Sequence, residues 1–173
     1  LAQATTCEWL HFHDADDLIA ADYLAACFAV ADADVDLVIC DMPWIDAESR
    51  ELIFHWRYDE AGLRAAPFAR LIEQTIGGIN GFYRRTAFLA VGGFDETRAY
   101  WEDLDLSLRL FRAGVRFRAV PRDLVTAVRY RGSYSSRDSV KVWMAKIDLM
   151  AEWLSTDYDA VAATVAREAE SIA

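Results

Sequence analysis

The sequence predicts an α/β domain in which helices flank a sheet. Three observations carry that expectation. Short apolar and aromatic runs alternate along the chain with helix-patterned stretches, and such interleaving sets helices against a sheet. The run Asp34-Val-Asp-Leu-Val-Ile-Cys-Asp41 has a continuous apolar centre, the mark of a strand buried on both faces. The 173 residues, 54 % of them hydrophobic and 27 % charged, supply one core of ordinary composition that needs no disulfide staples.

Glu8-Trp-Leu-His-Phe-His13 is short and aromatic and predicts a strand that runs into a turn-forming acidic cluster, Asp14-Ala-Asp-Asp17. The alanine-rich stretch from 18 to 31 carries Leu24, Phe28 and Ala31 at helical spacing. The buried strand 34–41 follows, and residues 43–60 have no decisive pattern. Residues 62–74 predict a helix, and 76–82, with three glycines, a loop entering a short strand. Residues 86–91 predict a short helix stopped by Gly92-Gly93. Leu104-Asp-Leu-Ser-Leu-Arg-Leu110 is divided. Its strict alternation favours a strand, while Leu104, Leu108 and Phe111 share a helical face and Gly114 offers a cap. Residues 115–120 and 125–131 predict strands separated by Pro121. Residues 138–154 give the clearest helix, with Trp143, Ile147, Met150 and Leu154 on one stripe, and a last helix is expected over 158–172. The expected organisation is a domain over 1–137 with a helical extension over 138–173.

A net charge of −10 argues against a general nucleic-acid binder. No apolar run approaches the roughly 18 residues of a membrane span, and the first residues lack a charged-then-apolar leader pattern. Cys7, Cys27 and Cys40 form no Cys-x-x-Cys pair, which predicts buried thiols in a reducing, cytoplasmic compartment. The chain opens at Leu1 without a methionine and enters a strand almost at once, so a piece of a longer protein is expected. Charge is unevenly spread: residues 1–60 hold 14 acids against two arginines, and residues 109–137 hold eight arginines against Asp123 alone. Two solvated faces of opposite sign would account for this. So would an acidic, metal-holding loop with a basic segment that meets an anionic substrate or a membrane's inner face. Arginine supplies 16 of the 18 basic residues, which favours bidentate contacts to phosphate or carboxylate.

Four places carry candidate chemistry. The crowded carboxylates of Asp14, Asp16 and Asp17 suit a divalent cation with oxygen ligands, or else an acidic cap on the following helix. His11 and His13 share one strand face and with Asp14 could begin the ligand set of a metal-dependent hydrolase; ordinary strand histidines are the alternative. Asp32-Ala-Asp-Val-Asp36 opens like a calcium loop, but Leu37 and Pro43 stand where that loop needs glycine and glutamate, which excludes it. Gly92-Gly93-Phe94-Asp95-Glu96, with Trp101-Glu102-Asp103 close behind, offers backbone approach, an aromatic face and carboxylates, or simply a helix cap, a loop and an acidic helix start. Glycine-rich phosphate cradles of the GxGxxG or P-loop kind are absent.

Taken in order, the acidic turn after a strand, Arg84-Arg85, Gly92-Gly-Phe-Asp-Glu96, Glu102-Asp103 and Gly114 resemble the second half of an inverting family 2 glycosyltransferase of the GT-A fold, over about residues 9–136. The resemblance implies a mixed sheet flanked by helices, with the N-terminal nucleotide-binding half missing, and makes 102–113 a helix. It implies that Asp14-Ala-Asp16 is the DxD motif, with Asp16, assisted by Asp14, binding Mn2+ or Mg2+ on the diphosphate of a nucleotide-sugar, UDP-sugar above others, and Asp17 supporting the loop. It implies that Asp103 of the Glu102-Asp103 pair is the general base for an acceptor hydroxyl, and that Gly93, Phe94, Asp95, Glu96 and Trp101 shape the acceptor side. Family members carry a histidine late in the domain that assists the metal; here that stretch is Arg129-Tyr-Arg-Gly-Ser133. A fragment without the nucleotide-binding half is expected to be nearly inactive. Two other classes remain at this stage: a non-catalytic carbohydrate- or partner-binding module of the same fold, and the hydrolase built on His11, His13 and Asp14.

Overall fold

The computed structural model describes residues 2–132 and 139–156. In chain order the elements are β1 (Trp9–His11), β2 (Leu18–Ile19), α1 (Tyr23–Phe28), β3 (Leu37–Asp46), β4 (Leu52–Trp56), α2 (Glu60–Ala65), α3 (Pro67–Glu73), a 3-10 turn (Gly78–Asn80), β5 (Gly81–Arg84), α4 (Arg85–Ala90), α5 (Glu102–Arg112), β6 (Phe117–Asp123), β7 (Val125–Arg129) and α6 (Ser139–Thr156). The expected helix over 158–172 lies outside the described residues.

The sheet is mixed and is organised around β3. Its first half pairs antiparallel with β5, which in turn pairs with β1, and parallel with β6. Beyond Asp41 the partners change: Met42 to Ile45 pair antiparallel with β4, and Trp44 to Asp46 pair parallel with β7, which carries β2 on its outer side. Every residue from Leu37 to Met42 is buried, as the continuous apolar run requires. Leu37 and Ile39 face the larger core with α2, α3, α5 and α6. Val38, Cys40 and Met42 face a second core, closed by Tyr23 and Cys27 of α1.

Several local expectations are corrected. The stretch from 18 to 31 is not one helix, because Leu18 and Ile19 pair with β7. The helix that follows buries Tyr23 and Cys27 and leaves Leu24 and Phe28 each 54 % exposed. Its orientation is set by Tyr23, whose hydroxyl reaches Nδ1 of His11 at 2.8 Å. The helix expected over 62–74 is two helices, broken at Ala66 (φ −148°, ψ 63°) because Pro67 excludes helical geometry from the residue before it. Pro121 does not separate two strands. The β3–β6 register shifts between Cys40–Val120 and Asp41–Asp123, so Pro121 sits in a bulge, where a missing N–H costs no ladder bond. Cys27 and Cys40 are buried free thiols as expected, whereas Cys7 is exposed. On α6 the stripe of Trp143 and Ile147 faces outward, and Leu149 and Trp153 enter the core instead.

The divided segment 104–110 is helical. Leu104, Leu106, Leu108 and Leu110 are all 2 % exposed or less, so α5 is enclosed on nearly every side, and a fully enclosed helix tolerates an alternating pattern. Gly114 (φ +77°) ends it, with the N–H of Val115 returning to the carbonyl of Leu110.

The two oppositely charged parts of the sequence pair with each other. Arg116 bonds Asp34 and Asp36 (2.9 Å each), Arg118 bonds Glu60 (3.2 Å) and Arg122 bonds Asp22 (2.7 Å). Among the described residues no helix is long and apolar enough to cross a membrane.

Burial of β3 sets a stability test. Leu37→Ala is expected to cost about 2–5 kcal/mol by opening a cavity between sheet and helices. Leu24→Ala, on the exposed side of α1, is expected to stay within about 0.5 kcal/mol of the parent. Urea unfolding of both variants checks the contrast.

Candidate active site

The first turn of α5 brings Trp101, Glu102 and Asp103 to one wall of a cavity of about 670 Å³. Trp101 enters the helix in left-handed geometry (φ 61°), and its indole N–H donates to the carbonyl of Val142 on α6 at 2.6 Å. Asp103 follows, its Oδ1 accepting from the N–H of Leu104 at 2.7 Å, with Gly77 beside its other oxygen. Further along α5, buried Asp105 is held by Arg109 (2.6 Å) and Arg98 (3.5 Å), and Arg98 also bonds Glu152 of α6 at 2.6 Å. These pairs fix α5 and α6 relative to each other and so fix the cavity wall.

The carboxyl of Asp103 is pushed up to about 7, first by burial, then by the charge of neighbouring Glu102 and, more weakly, by Asp14; the N–H groups of Leu104 and of Asp103 itself oppose the shift. A carboxyl poised there exchanges protons near neutral pH, the property a general base needs. The influence of Asp14 also places the acidic turn within electrostatic reach of α5.

That acidic turn follows β1. The N–H of Asp17 closes it on the carbonyl of Asp14 at 3.2 Å, and Oδ1 of Asp17 accepts from the N–H of Val128 on β7 at 2.7 Å. Burial, reinforced by Asp14 and Asp16, raises the carboxyl of Asp17, and the Val128 hydrogen bond opposes it. Asp14 and Asp16 are exposed, and among the described residues neither side chain has a hydrogen bond or ion pair. Two exposed, unneutralised carboxylates one residue apart are a donor set that fits Mg2+ or Mn2+.

His11 and His13 have other partners. Nδ1 of His11 lies 2.8 Å from the Tyr23 hydroxyl and 3.2 Å from the carbonyl of Gly81, and Nε2 of His13 lies 3.2 Å from the carbonyl of Asp17. Burial lowers the basicity of His11.

The glycine pair and its neighbours do not line the cavity. Gly93 (φ +71°) has a packing role: a Cβ there would stand 2.8 Å from the ring of Phe88. Phe94 packs its ring on Phe12 and Phe88 (4.9 and 5.5 Å). Asp95 closes a turn by accepting from the N–H and hydroxyl of Thr97 at 3.0 and 2.7 Å, which lowers its carboxyl. Glu96 is exposed.

Sequence reasoning missed most of the cavity's aromatic wall. Trp44 of β3 stands in register with Phe54 of β4; the two rings stack at 5.1 Å, and Trp56 meets Trp44 edge-on at 5.5 Å. Trp143 and Lys146 of α6 complete the mouth, with the Lys146 ammonium 4.7 Å above the ring of Trp101. The period-two spacing of Phe54 and Trp56 was the available signal, set in a segment with no other pattern.

A second group of side chains was also missed. Ligand atoms of Asp41, His55 and Asp123 all lie within 4.8 Å of one another, brought together by the bulge that sets Asp41 opposite Asp123. They could hold a divalent cation. In this structure both ring nitrogens of His55 are engaged: Nε2 meets Asp123 at 2.7 Å, and Nδ1 accepts from Arg57 at 3.3 Å. Burial, with Asp123 adding, raises the carboxyl of Asp41.

The raised carboxyl of Asp103 has a stability consequence. Between its ordinary value and about 7, the folded protein holds a proton that the unfolded chain has released, so folding stability falls as pH rises through that window. Asp103→Asn is expected to remove that fall: it melts above the parent at pH 8, and the difference shrinks towards pH 4.

Residues 9–153 match the family described as glycosyl transferase family group 2. No curated protein shows a significant match to the chain. The match spans the acidic turn, the cavity and most of α6, and the mixed α/β architecture is that of a GT-A-like domain. This chain therefore belongs to glycosyl transferase family group 2.

Proposed function

We propose that the chain carries the metal-binding and acceptor-binding part of an inverting glycosyltransferase that uses a nucleotide-diphosphate sugar, with UDP-sugar the first donor to test. The observation that carries the reading is Asp103: a carboxyl poised at about 7, on the wall of a cavity large enough for a substrate and within electrostatic reach of Asp14.

In this reading an acceptor hydroxyl enters the cavity beside Asp103. Asp103 takes the hydroxyl proton as the oxygen attacks the anomeric carbon of the donor. A carbon–oxygen bond forms on one face while the bond to the diphosphate breaks on the other, which inverts the carbon. Glu102 keeps a second negative charge beside Asp103 and so sustains its affinity for the proton. Asp14 and Asp16 would hold Mn2+ or Mg2+, which when bound neutralises charge growing on the departing diphosphate. Asp17, tied to Val128, keeps that turn in place. The nucleoside pocket is assigned to a preceding segment of a longer protein, residues 1–137 to the remainder of the catalytic domain and 138–173 to a helical extension of it. Three free thiols support a cytoplasmic setting.

Three measurements on the protein extended upstream test the reading. Titration of UDP with Mn2+ should show binding that disappears without the metal and in Asp16→Ala. Asp103→Asn should lower turnover by roughly a hundredfold or more. In the parent, kcat/KM should climb with pH up to about 7 as Asp103 loses its proton. Turnover by Asp103→Asn within tenfold of the parent would overturn the base assignment.

A further inference from the structure

Away from the cavity, the exchange of partners along β3 gathers a separate set of metal-ligand side chains. Asp41 of β3, His55 of β4 and Asp123 at the end of β6 hold their ligand atoms within 4.8 Å of one another. Alternation along β4 sends His55 to the sheet face opposite Phe54 and Trp56, and none of the three residues lines the cavity beside Asp103. The set is also distinct from the acidic turn. Asp41 feels the charges of Asp123, His55 and Arg57, whereas Asp17 feels those of Asp14, Asp16 and His13.

This set is short of positive charge. Asp41 is only 8 % exposed, and its one hydrogen bond comes from the N–H of Tyr58 to Oδ1 at 3.0 Å. Among the described residues no ion pair reaches it. His55 does not supply the missing charge. Its Nδ1 accepts from Arg57, so that nitrogen carries no proton, and Nε2 turns the ring's single proton towards Asp123 at 2.7 Å. The imidazole is therefore neutral. A buried carboxylate without a cation is costly, and Asp41 can meet that cost by keeping a proton or by sharing a dication. Only the dication also serves Asp123, which faces Asp41 across the bulge.

We propose that Asp41, His55 and Asp123 bind one Zn2+ ion, through a carboxylate oxygen from each aspartate and Nε2 of His55. The ion clamps β4 and β6 to β3 at the point where that strand changes partners. An imidazole with carboxylates suits a borderline ion such as Zn2+, whereas carboxylates alone, as at Asp14 and Asp16, suit Mg2+ or Mn2+. Zinc bonds of about 2.0–2.2 Å set two ligand atoms roughly 3–3.5 Å apart, so small side-chain movements close the set. The side chain of Asp123 is 49 % exposed, which gives both that freedom and an entry path from solvent. Zinc on Nε2 moves the ring proton to Nδ1, and exposed Arg57 releases that nitrogen by swinging into water. The site does not depend on the glycosyltransferase reading.

Titration of the full chain with ZnCl2 alone, followed by calorimetry and by thermal melting, tests this. The parent should take up one equivalent, and its melting temperature should rise, because only the folded chain assembles the set. Asp16→Ala and Cys7→Ser should bind as the parent does, which separates the site from the acidic turn and from the exposed thiol. Asp123→Asn should weaken binding at least about tenfold and remove the rise in melting temperature. His55→Gln should do the same, with circular dichroism confirming that both variants fold. Arg57→Ala should tighten binding, since the guanidinium holds the tautomer that zinc must displace. No uptake of Zn2+, uptake that survives both Asp123→Asn and His55→Gln, or uptake lost in Asp16→Ala, Cys7→Ser or Arg57→Ala would overturn the proposal.

Discussion

One strand with two sets of partners is the constraint on which the rest of the structure depends. β3 is buried on both faces through Met42 and exchanges β5 and β6 for β4 and β7 at Asp41. A strand buried on both sides has its register strongly fixed, because a slip of one residue would exchange the contents of two cores. The change of partners then gives the second half of the strand a separate pair of neighbours, β4 and β7. Trp44 is thereby delivered, with Phe54 opposite, to the cavity in front of α5. The same irregularity sets Asp41 opposite Asp123. That like-charged pairing would be costly without His55 bonded to Asp123 and the N–H of Tyr58 bonded to Asp41.

The enclosure of α5 shapes the site in a second way. A helix packed on nearly every side cannot present its first turn freely to water, so Asp103 loses hydration that the exposed Glu102 keeps. The two adjacent carboxyls therefore differ in character through environment alone. Desolvation raises Asp103, and the charge of Glu102 adds to it. Arg98 and Arg109 satisfy Asp105 one step further along, which prevents a third negative charge from reaching the site unpaired.

What the sequence made legible follows the range of the interactions involved. The β3 run and the acidic turn are local patterns, each readable within about ten residues. The strict alternation of Leu104 to Leu110 instead favours a strand, and only the family resemblance makes Glu102–Arg112 a helix. The outward face of Leu24 and Phe28 was not, because α1 is oriented by Tyr23 meeting His11 twelve positions away in sequence. The break at Ala66 was readable in principle from Pro67, since the restriction acts on the preceding residue. The grouping of Asp41, His55 and Asp123 had no local signal at all: it exists only because a bulge and a change of strand partners bring three separate strands together. The aromatic wall lies between these cases. Phe54 and Trp56 are spaced as a strand face, yet their meeting with Trp101 and Trp143 depends on helices that join the sheet from elsewhere in the chain.

The uneven charge of the sequence is largely settled by folding. Arginines between 109 and 137 are drawn to acids between 1 and 60, and Arg84 joins them through Glu8 and Asp36. Exposed pairs of this kind contribute little stability each, on the order of 0–1 kcal/mol. Their larger effect is one of bookkeeping in space: they pair Glu8, Asp22, Asp34, Asp36 and Glu60 with arginine. Asp14 and Asp16 are left out of that pairing although they lie in the same acidic stretch. Of the two carboxylates, on a turn tied to β7 by Asp17, Asp14 adds weakly to the rise of the Asp103 carboxyl. A positive charge placed beside Asp14 would weaken that contribution and lower the proton affinity of Asp103.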